Sequence, residues 1–242
     1  MLVLLPPSEG KTRPGRRRGP VSLDALSWPE LNDARSRVLC ALADTSGRPD
    51  ALAVLGVGAS LAADVAANRT LDAAPSAPAG EVYSGVLYDA LGLTDLSGPA
   101  RRRANRWLVV TSALWGVLRP TDRIPAYRLS ISARLPRIAG LAAYWRPALA
   151  KALPDDGLVV DLRSGGYAAA FKPREANLLA VRGFTPDGKV ISHFVKALRG
   201  DVARLALLAS PVPRSANAIA ELVAAAGYDV TLDGGNLDVV VG

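Results

Sequence analysis

Three short runs of consecutive apolar residues limit what this chain can fold into. Leu2-Val3-Leu4-Leu5, Trp107-Leu108-Val109-Val110-Thr111-Ser112 and Leu158-Val159-Val160-Asp161-Leu162 show no polar-apolar alternation, and the first is stopped by Pro6-Pro7. Such runs predict strands buried on both faces of an α/β sheet. Between them lie helical patterns. From Trp28 to Ala43, apolar residues recur at 31, 34, 38, 39 and 42, with Pro29 near the first turn. Further helices are expected over about 50–67, broken by Gly56-Val57-Gly58, and over about 140–153, 194–209 and 215–226, the last with Ser215 as N-cap. Residues 178–184 and 189–193 flank Pro186-Asp187-Gly188 and predict a hairpin, and the tail around Asp233-Gly234-Gly235-Asn236 predicts a second. Interleaved strands, helices and hairpins specify a mixed α/β (α+β) fold, a mixed β-sheet surrounded by helices. No internal repeat or linker divides residues 1–242, so one domain is expected.

Composition excludes several classes. No apolar run approaches the ~18 residues of a membrane span, and Met1-Leu2-Val3-Leu4-Leu5 lacks the cationic start of a signal peptide, so a cytosolic protein is expected. One cysteine, Cys40, rules out an internal disulfide, and one histidine, His193, argues against a histidine-based metal site; neither a metal nor a cofactor is expected. The net charge of +7, with 29 Lys and Arg against 22 Asp and Glu, is compatible with a polyanionic partner. Only five of those cations are lysine, and the arginine and alanine richness has as ready a source in coding bias. The positions of the arginines therefore matter more than their number.

Four segments concentrate polar chemistry. Ser8-Glu9-Gly10-Lys11-Thr12 follows a predicted strand and ends like a P-loop, but the full pattern needs glycine at position 5, where Leu5 stands, and Pro6-Pro7 lack the amide donors that would cradle phosphates. The segment is read instead as a strand-end turn that either faces a ligand crevice or faces water. Leu55-Gly56-Val57-Gly58-Ala59-Ser60-Leu61-Ala62 matches the centre of a helix-hairpin-helix, whose glycines let backbone N–H groups approach a DNA phosphate. The basic residues usual beyond such glycines are replaced by Ala59 and Ser60, so a plain turn between packed helices competes with that reading. In 111–129, Arg119, Arg123 and Arg128 surround Asp122 and Tyr127 on a loop stiffened by Pro120 and Pro125; planar guanidinium forks there suit anion recognition or an internal Arg–Asp network. Arg163-Ser164-Gly165-Gly166-Tyr167 and the stretch Ser192 to Gly200, carrying Lys196 and Arg199 three apart, complete the set. Ser192-His193 has no nucleophile elbow and does not predict a hydrolase triad; His193 is read as a hydrogen-bonded partner near the sheet end.

In this order, P-P-S-E-G-K-T, V-Y-S-G-V, the Gly116–Leu129 segment G-V-L-R-P-T-D-R-I-P-A-Y-R-L, D-L-R-S-G-G-Y and K-A-L-R-G resemble the YaaA family, the peroxide-stress-resistance proteins of bacteria. The resemblance runs from Met1 to about residue 210. It implies a cytosolic protein that binds duplex DNA through a positively charged cleft and a helix-hairpin-helix-like element including Gly56 and Gly58, and that limits iron-driven oxidative damage. By position, the family's polar signature falls on Ser8, Lys11, Tyr83, Arg119, Asp122, Tyr127, Arg128, Ser164, Tyr167, Lys196 and Arg199. The chain departs from the commoner family form in carrying P-P-S-E-G-K-T for S-P-A-K-T, and D-L-R-S-G-G-Y for N-L-A-S-x-E-Y.

A non-specific DNA groove needs positive charge alone, whereas Asp122 and Tyr127 at fixed spacing from two arginines also suit an anionic or phosphorylated small molecule. An enzyme on that plan would hold an anion with Arg119 and Arg128, transfer a proton through Lys196 or Tyr127, and orient an arginine with Asp122. A third possibility is that the signature forms a structural salt-bridge core.

Overall fold

Leu2–Leu5 form β1, and all four side chains are buried. A strand with no exposed face must have neighbours on both edges and helices above and below, and this requirement organises the rest of the chain. The structure is a computed structural model that describes residues 1–15, 18–154, 157–173, 177–185 and 192–240. After β1 come α1 (Asn32–Ser46), α2 (Ala51–Leu55), α3 (Ala62–Ala67), the short β2 (Ala77–Pro78), α4 (Ala79–Val82), α5 (Val86–Leu91) and α6 (Gly98–Trp107). The chain continues through β3 (Leu108–Ser112), β4 (Gly116–Leu118), β5 (Arg123–Ile124), α7 (Leu141–Ala152), β6 (Leu158–Asp161) and α8 (Gly165–Ala168). It closes with β7 (Asn177–Phe184), α9 (Ser192–Leu208), α10 (Ala216–Ala225), β8 (Asp229–Asp233) and β9 (Asn236–Val240).

The main sheet has the order β4-β3-β1-β6-β7-β9-β8. The five inner strands run parallel, with Leu4 opposite Val109 on one side and Asp161 on the other, while β4 and β8 close the edges antiparallel. The mixed α/β sheet and the three buried strands are as the sequence predicts, and one continuous apolar core surrounds them. Ser215 caps α10, accepting the Ala218 amide at 3.2 Å. The tail hairpin forms as β8 and β9 across Gly234-Gly235. A small second sheet, β2 with β5, takes its first strand from the Pro/Ala stretch, which reads as a connection in the sequence.

The hairpin expected around Pro186-Asp187-Gly188 has its turn and most of its second strand at residues 186–191, outside the described residues. β7 pairs with β6 over residues 177–180 and with β9 over residues 180–184, and Ser192 and His193, expected to end the second strand, open α9 instead. Residues 186–191 and the side chains of Ser192 and His193 lie outside the described part, so the reading of His193 does too.

The face of α1 that carries Leu31, Val38 and Leu42 inward also buries Arg35 completely. All five of its N–H donors are used: Nε to Trp115 O (3.1 Å), Nη1 to Trp28 O (3.1 Å) and Asn32 Oδ1 (2.9 Å), Nη2 to Ser27 O (2.8 Å) and Val117 O (3.0 Å). Burial lowers its pKa to about 10, so it stays charged at neutral pH. It thereby ties α1 to the β3–β4 turn and to Trp28, whose φ of 59° is unusual for a residue with a side chain. In the same turn Gly116 has φ 72°, and a Cβ there would lie 2.8 Å from the Trp145 ring. Replacing Arg35 by alanine would take a donor away from four carbonyls, of which Trp28 O keeps the Leu31 amide, and would open a cavity. An Arg35→Ala variant is expected to lose about 3–5 kcal/mol of stability, read as a lower urea midpoint with an unchanged slope.

Candidate functional site

The chain passes from β1 to β3 on one side and reaches β6 on the other, so a crevice opens where these connections part, at the carboxyl end of β1. Pro6 and Pro7 end the strand there, and Tyr88 on α5 donates its hydroxyl to the Pro6 carbonyl at 2.8 Å. Ser8 then folds the loop on itself: its hydroxyl donates to Gly10 O (2.5 Å) and accepts from Ser84 N (3.1 Å). Lys11 pairs with Tyr83 in an antiparallel bridge, reinforced by Thr12 N to Val82 O at 2.8 Å. The loop is thus fastened to the segment after α4, and the Lys11 side chain is directed over two tyrosine rings, 4.4 Å from the centroid of Tyr127 and 5.5 Å from that of Tyr83.

Those tyrosines form a buried hydroxyl chain. Ser112, at the carboxyl end of β3, accepts the Leu114 and Trp115 amides at 3.2 and 3.0 Å, which occupies both of its lone pairs. Its proton is therefore donated to Tyr127 OH at 2.7 Å, and Tyr127 in turn lies 2.9 Å from Tyr83 OH. Burial raises the pKa of both phenols, so they remain neutral.

Beside this chain is a cleft of about 390 Å³ lined by Lys11, Arg13, Asp64, Tyr127 and Arg128 together with apolar residues such as Leu71. Arg128 is set by its backbone: Asn68, fully buried at the end of α3, accepts from Arg128 N and donates to Arg128 O, both at 2.9 Å. The guanidinium reaches Asp64 only at 3.6 Å, and its Nε is buried without a partner. Asp64 is engaged first by Arg13 at 2.5 Å, and that hydrogen bond lowers its pKa. Lys11 Nζ donates to Ser8 O at 2.6 Å and, weakly, to Glu9 O at 3.5 Å; among the described residues no carboxylate pairs with it. Desolvation, with a contribution from the positive charge of Arg128, lowers its pKa to about 7. The cleft therefore presents a half-neutral amine, an under-used guanidinium and an aromatic floor, an arrangement suited to an anion.

Of the other expected residues, Tyr167 lies close enough to interact with Tyr83 and Tyr127, and the rest do not line this cleft. Arg119 donates to Arg106 O (2.5 Å) and Leu108 O (3.1 Å), at the start of β3 and so at the opposite end of the sheet, and stacks over Trp28. Asp122 accepts from Ser27 N, Ser27 Oγ and Arg119 N at 3.0, 2.8 and 2.8 Å. Both close a turn, and neither orients an anion-binding arginine. Arg163 forms a buried two-point pair with Asp161 (2.8 and 2.7 Å), with Ser164 exposed as the N-cap residue of α8 and Tyr167 half-buried. Arg199 extends towards Asp161, with burial lowering its pKa and its Nε unpartnered, whereas Lys196 is exposed. Gly56 ends α2 in the left-handed conformation (φ 66°), and Gly58 precedes the turn into α3, so both lie in the approach to the helix that walls the cleft. The sequence reading missed Asp64, Asn68, Arg13 and Ser112. The four-residue spacing of Asp64 and Asn68 on one helix face was the available signal.

A family model described as peroxide stress protein YaaA matches residues 1–231. A Streptomyces coelicolor protein named UPF0246 is 46% identical over 239 residues, covering 95% of this chain and 92% of its own length. A Corynebacterium efficiens protein of the same name is 40% identical over 242 residues (97% and 96%), and one from Roseobacter denitrificans is 35% identical over 156 residues (56% and 59%).

The lowered pKa of Lys11 has a consequence for stability. Between about pH 7 and its ordinary value near 10.5, the unfolded chain holds a proton on Lys11 that the folded chain has released, so this group makes stability rise with pH across that window. Urea unfolding from pH 7 to 10 is expected to show the native protein gaining stability relative to Lys11→Met, and parallel pH profiles would contradict the assignment.

Proposed function

The chain belongs to the YaaA family of peroxide stress proteins, and from that premise we propose that it binds duplex DNA, taking backbone phosphates at the cleft between the β1 loop and α3 and at the glycine turn before α3. The observation that carries this reading is that Lys11 and Arg128, two cations with incomplete pairing, share the cleft with the helix that follows Gly58. A Cβ at Gly58 would meet nothing within 4 Å, and its φ of −76° suits any residue, so neither packing nor backbone strain explains a glycine there. Close approach of an external phosphate to the backbone N–H groups would explain it. In the cytosol, DNA coated in this way would be shielded from iron-driven damage during peroxide stress. A phosphate in the cleft favours protonated Lys11, so binding weakens as pH rises through 7.

A second reading, a small anionic ligand and an enzyme acting on it, is favoured by one observation. The cleft lies at the carboxyl ends of parallel strands and has the volume of a small-molecule site.

Fluorescence anisotropy with a labelled duplex across a salt series separates the two. DNA binding predicts affinity that is indifferent to sequence and falls steeply with salt, with Lys11→Ala and Arg128→Ala each reducing the salt slope by about 1. Gly58→Ala is expected to weaken binding several-fold at unchanged melting temperature, whereas Gly56→Ala strains a left-handed position and tests folding instead. Arg119→Ala is expected to lower the melting temperature and leave affinity alone. Absence of binding at low salt removes the DNA reading and leaves the small-molecule one.

A further inference from the structure

We propose that Lys11 is a nucleophilic amine that forms an imine with an aldehyde or ketone carrying a phosphate, the phosphate being held by Arg128. The proposal rests on the reading of the cleft as a phosphate seat and adds a covalent step to it.

The geometry places the parts. Lys11 and Arg128 line the same cleft, so a ligand anchored on the guanidinium carries its remaining atoms past the amine. The nearest carboxylate to the Arg128 guanidinium is 3.6 Å from Nη2, which leaves its terminal nitrogens for phosphate oxygens. Lys11 is backed by the faces of Tyr127 and Tyr83 and is held by the Ser8 carbonyl, an acceptor that fixes the amine without requiring it to be charged. The charged groups acting on it are Arg128, which lowers its pKa, and Glu9 and Asp64, which raise it by less; Asp64 is itself committed to Arg13, and Glu9 is exposed on the loop. Desolvation and the neighbouring guanidinium bring its pKa to about 7. Before a phosphate arrives, a substantial fraction of the amine is then unprotonated at neutral pH, against well under about 1% for an ordinary lysine. A lysine desolvated beside another cation is a standard way of making a nucleophile of this group.

The step balances without a further reactant. The Nζ lone pair attacks the carbonyl carbon, a proton from Nζ passes through solvent to the carbonyl oxygen, and the carbinolamine then loses its hydroxyl with the second Nζ proton as water. The product is a C=N bond to Lys11 and one water, with nothing oxidised or reduced. The same chemistry has two sources, a free phosphorylated carbonyl compound and the ring-opened deoxyribose aldehyde of an abasic site in DNA, which sits between two phosphates.

The test is borohydride trapping, which reduces the imine to a stable secondary amine. The full chain is treated with limiting pyridoxal 5′-phosphate and sodium borohydride at pH 7, and its five lysines are compared by peptide mass spectrometry. Lys11 is expected to take at least tenfold more label than the exposed Lys151, Lys172 and Lys196. Inorganic phosphate and Arg128→Ala should each remove that preference, and pyridoxal without its phosphate should label Lys11 no faster than the surface lysines. Label spread evenly, or insensitive to Arg128, overturns the proposal. Borohydride cross-linking to a duplex with a single abasic site, lost in Lys11→Met, would assign the source to DNA; pyridoxal phosphate labelling without a cross-link would assign it to a free small molecule. Pyridoxine 5′-phosphate, which lacks the aldehyde, keeps the two readings apart. If it binds while nothing is trapped, the imine fails and the phosphate seat stands; if it does not bind and DNA does not either, both fall.

Discussion

β1 is buried on both faces, and its neighbouring strands, the crevice at its end and the placing of the Lys11 loop follow from that burial. Four apolar residues with no exposed surface must be flanked by β3 and β6, and the chain has to leave β1 in one direction and return to it from the other. That reversal opens a crevice at the strand's carboxyl end, and Pro6-Pro7 ensure that the backbone leaves the sheet there. The loop bearing Ser8, Glu9 and Lys11 can then be fastened to the segment after α4, with Lys11 over the tyrosines. Ligand chemistry and fold stability are joined at one point, because the strand that anchors the core also delivers the amine to the cleft.

The arginines divide into two groups by what surrounds them. Arg35, Arg119 and Arg163 are committed to backbone carbonyls or, for Arg163, to the Asp161 carboxylate, and act as cross-links between segments distant in sequence. A guanidinium suits this work since its donors point in fixed, coplanar directions and its charge persists even when burial lowers the pKa, as at Arg35. Arg128 and Arg199 instead each keep a buried Nε without an acceptor. Unpaired buried donors are costly, so they tend to mark places where an acceptor arrives from outside. The Gly116–Leu129 segment contains both kinds: its first half closes a turn at one end of the sheet, and its second half returns to the cleft at the other.

The tyrosine chain explains why the amine of Lys11 has its character. Ser112 uses its lone pairs on two backbone amides and its proton on Tyr127, which leaves the aromatic faces, and not the phenol oxygens, as the surface beneath the ammonium. A π face attracts a cation weakly compared with the hydration it displaces. With Arg128 adding repulsion, neutral and charged forms of Lys11 come into balance near physiological pH.

Much of the architecture was legible in the sequence because it is local. Short runs such as Leu2–Leu5 need two covered faces, Ser215 caps whatever helix follows it, and Gly234-Gly235 turn a chain between two strands. Ser192 and His193, expected to end a strand, open α9 for the complementary reason: that helix packs on β7 and on α5, an element distant along the chain. The site shows the same division. Lys11, Tyr83, Tyr127 and Arg128 could be singled out by residue type and pattern, but Arg119 could not be told from Arg128, nor could Asn68 be seen at all. Residue type and local pattern were enough for the buried central strands, the longer helices and the polar groups near strand ends. Which of those groups are spent depends on long-range packing, because a guanidinium's role is set by the carbonyls about 3 Å from it, and those belong to residues such as Trp115, 80 positions from Arg35.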